Sequence, residues 1–124
     1  MVFTIAWEND EQTVIRITYL QRWTWDEVRE AKAKSQRMMD SVSHRVTIFL
    51  CWGNDNWMPP NYQDNVRMIL ENSHPNLDLM IFVRKNPLFH QFFRQFAATH
   101  PVPFQYAFAT SIEDARMLLP AETG

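Results

Sequence analysis

"RVTIFLC", residues Arg45 to Cys51, decides the fold class of this chain. Its β-branched and aromatic residues form a nearly continuous apolar run, which predicts a strand that is covered by other parts of the protein. A second run of this kind, Leu77 to Val83, follows after a helical pattern. Buried strands that alternate with helices predict a parallel sheet with right-handed crossovers.

Shorter strands are predicted on both sides of this central pair. Val2 to Trp7 and Val14 to Tyr19 alternate between apolar and polar residues, and the polar turn between them predicts a hairpin. Phe104 to Ala109 is the fifth predicted strand. We therefore expect a single α/β domain over residues 1–120, of order ββαβαβαβα with a mainly parallel five-stranded sheet, and a tail over residues 121–124.

Four helices are predicted from their capping residues. Thr24 with Glu27 and Thr110 with Glu113 have the spacing of capping boxes, so they predict the starts of the first and last helices. Asn61 is expected to cap the second helix, and Asn86 with Pro87 is expected to begin the third. The residues expected to point inward from the second and last helices are Val66, Ile69, Leu70, Ala115, Leu118 and Leu119.

Composition and charge exclude several classes of protein. The 124 residues are 46% apolar and 14% aromatic, which is enough for a hydrophobic core, and a net charge of −2 does not favour nucleic acid. One cysteine excludes an internal disulfide and fits a reducing compartment. The first residues lack a signal-peptide pattern and no run is long enough to cross a bilayer, so we expect a soluble cytoplasmic protein without membrane insertion.

Cofactor and metal sites are not predicted. Gly53 and Gly124 are the two glycines of the chain, so the glycine-rich loops that bind dinucleotides or nucleotide phosphates are absent. The histidines are scattered, without a pair at helical spacing that would indicate a metal site. They are His44, His74, His90 and His100.

Two sets of residues have both a structural and a functional interpretation. Cys51 ends a strand where parallel sheets often carry their sites, but no neighbouring base would favour its thiolate, so packing is favoured over catalysis. Phenylalanines of the third helix could line an apolar pocket, although their helical spacing is more typical of a core. They are Phe89, Phe92, Phe93 and Phe96.

Alternation along the central strands predicts the two faces of the sheet. If Val46, Ile48 and Leu50 face the helices together with Leu79, Ile81 and Val83, the opposite face carries Phe49, Met80 and Phe82. These three would form an exposed interface patch if helices covered only one side of the sheet. Burial by helices on both sides is the competing interpretation.

Several segments together resemble the STAS-like superfamily, which includes anti-sigma-factor antagonists and a branch of short bacterial proteins. They are Trp23–Glu27 at the first helix, Asp40–Val46 before the middle strand, Pro59–Asn61 before the second helix, His74–Asn76, and Thr110–Arg116 at the last helix. The resemblance covers almost the whole chain. It implies a small α/β domain whose sheet runs roughly in chain order, and a role in binding proteins rather than in turnover.

The regulatory serine of the antagonists has no counterpart here. In those proteins a serine at the start of the helix after the middle strand is phosphorylated by a partner kinase, which switches binding. This chain has no serine between Ser43 and Ser73, and Tyr62 is the one hydroxyl near that position. The phosphorylation switch is therefore not carried over.

The loop at this position instead carries Trp52, Trp57 and Met58, residue types that supply contact area at protein interfaces. An alternative is that both indoles fold back onto the core of the domain. The predicted partner-binding residues are Trp52, Asn54, Asp55, Trp57, Met58, Asn61 and Tyr62.

Three functions follow in order of preference. The first is a non-enzymatic interaction module that binds a protein partner, or a second copy of itself as a homodimer, through this loop and the second helix. The alternative is a protein that binds a small apolar or lipid-like ligand in a pocket under the aromatic helix. An enzyme with Cys51 as its nucleophile is the third.

Overall fold

The computed structural model describes residues 3–20, 22–52, 60–85 and 87–119, and over these ranges the predicted order ββαβαβαβα is confirmed. The strands are β1 Phe3–Trp7, β2 Val14–Tyr19, β3 Val46–Trp52, β4 Leu77–Val83 and β5 Gln105–Ala109. The helices are α1 Trp25–Asp40, α2 Tyr62–Leu70, α3 Pro87–Thr99 and α4 Ile112–Met117. No helix in these ranges is long and apolar enough to cross a membrane.

The five strands form one mixed sheet in the order β1-β2-β3-β4-β5. The hairpin strands β1 and β2 pair antiparallel, and the other three neighbouring pairs are parallel. The central strand β3 is therefore paired on both sides, in keeping with its nearly continuous apolar sequence. Sheet order follows chain order, as the STAS-like resemblance implies.

The predicted faces of the sheet are wrong beyond the start of β4, because the register shifts there. Val46 pairs with Leu77 but Thr47 pairs with Leu79, so Asp78 is an extra residue in β4. An extra residue of this kind reverses the alternation that follows it. Phe49 is consequently paired with Ile81 on one face, while Met80 and Phe82 lie on the other face beside Ile48 and Leu50.

Helices pack on both faces of the sheet. On one face, residues of α1 and α3, such as Ala31 and Phe93, pack against the strands in two clusters of buried side chains. On the other face, Phe49 packs in a cluster that includes Ala115 of α4. The expected exposed patch of Phe49, Met80 and Phe82 is therefore not present, since Phe49 and Phe82 are buried and Met80 is half-buried on the opposite face from Phe49.

The capping residues agree with the sequence at α1 and differ by one residue at α4. The Thr24 hydroxyl accepts a hydrogen bond from the Glu27 N–H, and the Glu27 carboxylate accepts one from the Thr24 N–H. At α4 the cap is Ser111, not Thr110, because the Ser111 hydroxyl accepts from the Asp114 N–H at 3.1 Å. The helix ends at Met117, which leaves Leu118 exposed instead of inward.

Candidate functional site: a cleft between α2 and α3

One edge of α2 is fastened to α1 by a row of hydrogen bonds. The donors recur at helical spacing along one side of α1, so they all face the segment from Pro60 to Asn72. Trp25 Nε1 donates to the Pro60 carbonyl at 2.6 Å, Arg29 to the Asn65 side chain, Lys32 Nζ to the carbonyls of Ile69 and Glu71, and Gln36 Nε2 to the Asn72 carbonyl at 3.0 Å.

Lys32 is the donor that reaches the carboxyl end of α2. A cation at this end satisfies carbonyls that have no partner within the helix and interacts favourably with the helix dipole. Burial lowers the pKa of the Lys32 ammonium, and the nearby charge of Glu71 opposes that shift. Lys32 therefore acts as a structural link between the two helices.

Apolar packing beneath α2 is sparse, in contrast to the row of hydrogen bonds along its α1 edge. Val66, Ile69 and Leu70 are half-buried, and none of the residues of α2 is fully buried. Asn61 occupies the predicted cap position, but its backbone is left-handed with φ 64° and its side chain makes no capping hydrogen bond. Asparagine adopts a left-handed backbone more readily than most residues other than glycine. Beyond its α1 edge, α2 thus has no side-chain cap and no fully buried residue, which is typical of a segment that opens separately.

The other side of α2 faces α3 across an open cleft of about 740 Å³. Rings from both helices line it: the Tyr62 ring lies 6.4 Å from the rings of Phe92 and Phe96, and the Phe96 ring stacks on His100 at 4.3 Å. Phe92 is 51% exposed. The described residues that line this α2–α3 cleft are Asn61, Tyr62, Gln63, Asp64, Phe92, Gln95, Phe96, Thr99 and His100.

A second open space of about 570 Å³ continues the α2–α3 cleft toward the carboxyl ends of both helices. Phe96 and His100 line both spaces, and the second also carries the charged residues Arg45, Arg67 and Glu71. The cleft therefore follows the length of α3 from Phe92 past His100. Only the larger space is poor in charge.

The lining of the larger space is poor in charge. Asp64 is the one charged residue among its described members, and it pairs with Arg67 of the next turn at 3.7 Å. The others are aromatic, amide or hydroxyl side chains, together with the His100 imidazole. Depletion of charge with enrichment of aromatic residues is the composition found at the centre of protein interfaces.

The structure brings two of the predicted partner-binding residues, Asn61 and Tyr62, into this cleft. Trp52 lies elsewhere, half-buried among aromatic rings, with its ring centroid 4.9 Å from that of Phe89 and 5.6 Å from that of Tyr19. For Trp52 the indole thus packs on the core of the domain. The other predicted members, Asn54, Asp55, Trp57 and Met58, lie outside the described residues.

The sequence predicts the α3 side of the cleft only in part, because the four phenylalanines of α3 form one set that could either line a pocket or belong to the core. Phe89, Phe93 and Phe96 form the inward stripe of α3 and are buried, whereas Phe92 was assigned to the same stripe and is half-exposed. A narrower definition of the buried stripe would have excluded Phe92. Positions 89, 93 and 96 follow steps of four and three residues along one face of the helix, whereas position 92 lies at the border of that face.

Burial favours the neutral forms of two side chains near the carboxyl edge of the sheet, the Cys51 thiol and the His90 imidazole. Burial raises the pKa of the Cys51 thiol to about 11, and the nearby Arg16 offsets only part of this shift. Burial and the positive charges of Arg94 and Arg84 lower the pKa of the His90 imidazole. Within the described ranges, no group of three or more potential metal ligands converges.

The fold and the cleft define a mixed five-stranded α/β domain with a charge-poor groove between two helices on one face. Comparisons with protein-family models, with curated proteins and with solved structures give no match for this chain.

Proposed function

We propose that this protein is a non-enzymatic interaction module that binds a segment of a partner protein in the α2–α3 cleft. The observation that carries the proposal is the lining of the larger space of the cleft. There the half-exposed ring of Phe92 faces Tyr62, and the other lining side chains include amides and one carboxylate, that of Asp64. Trp57 and Met58, which precede α2 in the sequence, are proposed as part of the same contact surface. Membership of the STAS-like superfamily stays a prediction, and a cytoplasmic location is proposed from the free thiol of Cys51.

The dimensions of the cleft favour a protein segment. Phe92 and His100 are separated by about 12 Å along the axis of α3, at 1.5 Å of rise for each residue. About four residues of an extended segment cover that distance. Because the lining offers aromatic rings and neutral polar groups, the segment that fits best inserts an apolar or aromatic side chain and flanks it with uncharged polar residues.

The buried thiol supports a role in binding rather than in turnover. A cysteine nucleophile reacts as its thiolate, and catalytic thiols have lowered pKa values in partly exposed positions. Cys51 has the opposite properties, since it is 5% exposed and burial raises its pKa to about 11.

The proposal is tested with peptides selected from a random displayed library against the purified protein. For a selected peptide, Phe92→Ala is expected to weaken the dissociation constant about 30-fold, which corresponds to about 2 kcal/mol, because the ring supplies contact area at the centre of the cleft. Titration by fluorescence anisotropy measures the effect. Met117→Ala is the matched control, because Met117 is an exposed apolar residue on α4, and its affinity should equal that of the natural protein.

Two outcomes would contradict this function. Selection that yields no peptide, or peptides whose affinity does not change with Phe92→Ala or Tyr62→Ala, would show that the cleft is not the binding surface. The second outcome is measured by light scattering. If the protein forms a stable dimer that Phe92→Ala dissociates, the cleft binds a second copy of this chain and not a different partner protein.

A further inference from the structure

We infer that the space beneath α2 binds a small, uncharged apolar molecule or the end of a hydrocarbon chain, with α2 as the lid that opens to admit it. The first cavity adjoins the second open space of the α2–α3 cleft, because Leu70, Ser73, His74 and Leu77 line both. The inference does not depend on a protein partner. It gives the alternative function expected from the sequence a definite location, which is under α2 and, through Phe89 and Phe93 in the second cavity, also under the aromatic helix α3.

Two apolar cavities of about 60 Å³ each lie between α2, α1 and the sheet. The first extends toward Met39 and Phe104, and the second extends toward Trp23 and Phe93. They have a common wall formed by residues of β2, β3, α1 and α2. The residues lining both are Tyr19, Val28, Leu50, Ile69 and Leu70.

The polar side chains around the first cavity already have partners. Lys32 and Gln36 donate to carbonyls at the end of α2 and beyond it. The Ser35 hydroxyl donates to the Lys32 carbonyl at 2.7 Å, the Ser73 hydroxyl donates to the Leu70 carbonyl at 2.9 Å, and His74 Nε2 lies 2.7 Å from the Asp40 carboxylate.

An apolar cavity of this kind does not hold water well. A buried water needs about two to four polar partners, and an apolar cavity of about 150 Å³ stays dry and accepts benzene. Each of these cavities is about 60 Å³, so a molecule of that size is admitted only when α2 moves outward. A charged ligand would lose its hydration without gaining a partner from the lining. The wall of the first cavity therefore favours an uncharged hydrocarbon group. In the second cavity the buried Trp52 Nε1 has no hydrogen-bond partner among the described residues, so one acceptor atom on an uncharged ligand would also be matched there.

The attachment of α2 provides the route of entry. Hydrogen bonds from α1 fasten one edge of α2. Toward α3 the contacts are apolar: the Tyr62 ring lies 6.4 Å from the rings of Phe92 and Phe96, and Val66 packs against the cluster that includes Phe93. Rotation of α2 about its α1 edge would thus open the cavities toward the cleft and enlarge them for a longer chain. This motion would expose Val66, Ile69 and Leu70 further, but these side chains are half-buried and not fully buried, so the local opening costs less free energy than the opening of the central strands.

Titration with benzene and with n-hexane tests the site. Trp23, Trp25 and Trp52 line the second cavity, so tryptophan fluorescence should change in a saturable way and the melting temperature should rise with ligand concentration. Ile69→Phe fills the wall that both cavities have in common and is expected to weaken binding at least about 10-fold. Met68→Phe adds the same ring on the exposed side of α2 and should leave the affinity unchanged.

Val28→Leu provides a second filling substitution if Ile69→Phe does not unfold cooperatively. The longer side chain extends into the cavities from α1 and leaves the sequence of α2 unaltered, so this substitution should also weaken binding. Absence of a saturable response to both hydrocarbons, or equal affinity in the filled and natural proteins, would overturn the inference. Met117→Ala, an exposed position on α4, should retain hydrocarbon binding. Because hydrocarbon binding and peptide binding are measured separately on the natural protein, a failure of this site is distinguished from a failure of the proposed protein interface.

Discussion

Replacing Phe82 by alanine is expected to lower the free energy of unfolding by about 3–5 kcal/mol. Phe82 is 4% exposed, and its ring centroid lies 4.5 Å from that of Phe93 and 5.5 Å from that of Phe89. The substitution removes apolar contacts with α3 and with the neighbouring strand at once, and rigid strands on either side prevent the cavity from closing. Urea denaturation followed by circular dichroism measures the loss.

Phe92→Ala is the matched control for this prediction. It also removes a phenyl ring, but this ring lies on the side of α3 that faces the cleft and not on the side that packs against Phe82. Phe92 is 51% exposed, and a surface substitution of this kind usually changes stability by no more than about 0.5 kcal/mol. Equal losses for the two variants would mean that α3 does not pack with Phe93 inward and Phe92 toward the cleft.

The Cys51 thiol of the folded protein is expected to react with iodoacetamide about 100-fold more slowly near neutral pH than the same thiol in urea. Burial raises its pKa from 9.0 to about 11. At any pH well below both values, a pKa higher by two units leaves about one hundredth of the thiolate, and the thiolate is the reacting species. Direct shielding by the surrounding side chains would slow the reaction further.

The direction of the pH dependence follows from the same shift. For the unfolded chain the rate should rise about tenfold with each pH unit and level off near the ordinary thiol pKa, whereas for the folded protein it should continue to rise to about pH 11. Mass spectrometry of quenched samples gives both rates. Rapid modification of the folded protein near neutral pH would show an accessible, activated thiol and would restore the enzyme hypothesis.

Local sequence signals predicted most of the fold. The runs at Arg45–Cys51 and Leu77–Val83 are apolar enough to be strands whatever surrounds them, and the Thr24 and Glu27 pair determines where α1 begins. Chain order and short connections then leave few arrangements of the sheet. This is why the element order and the parallel pairing of the central strands were predictable.

The faces of β4 and the α2–α3 cleft depend on interactions that local patterns do not contain. The bulge at Asp78 accompanies an ion pair with Arg45 at 3.0 Å, a contact between residues far apart in the chain. The width of the cleft depends on how closely two helices approach after both pack on the sheet. Helical spacing alone therefore placed Phe92 in the core, and its position at the cleft became apparent only from the packed structure.

Helix α2 borders both the cleft and the apolar cavities, and we propose that it is held along its α1 edge and opens separately from the sheet. Amide hydrogen exchange resolved to single residues tests this most directly. Residues 62–70 are expected to exchange through a local opening that costs less free energy than the opening of β3 and β4.

Lys32→Met should lower the protection of α2 by a further 1–2 kcal/mol or so, because it removes the charge-assisted hydrogen bonds to the carbonyls of Ile69 and Glu71. Arg37→Met, at an exposed position of the same helix, should leave it unchanged. Protection of α2 equal to that of β3 and β4, with no selective loss in Lys32→Met, would contradict the account.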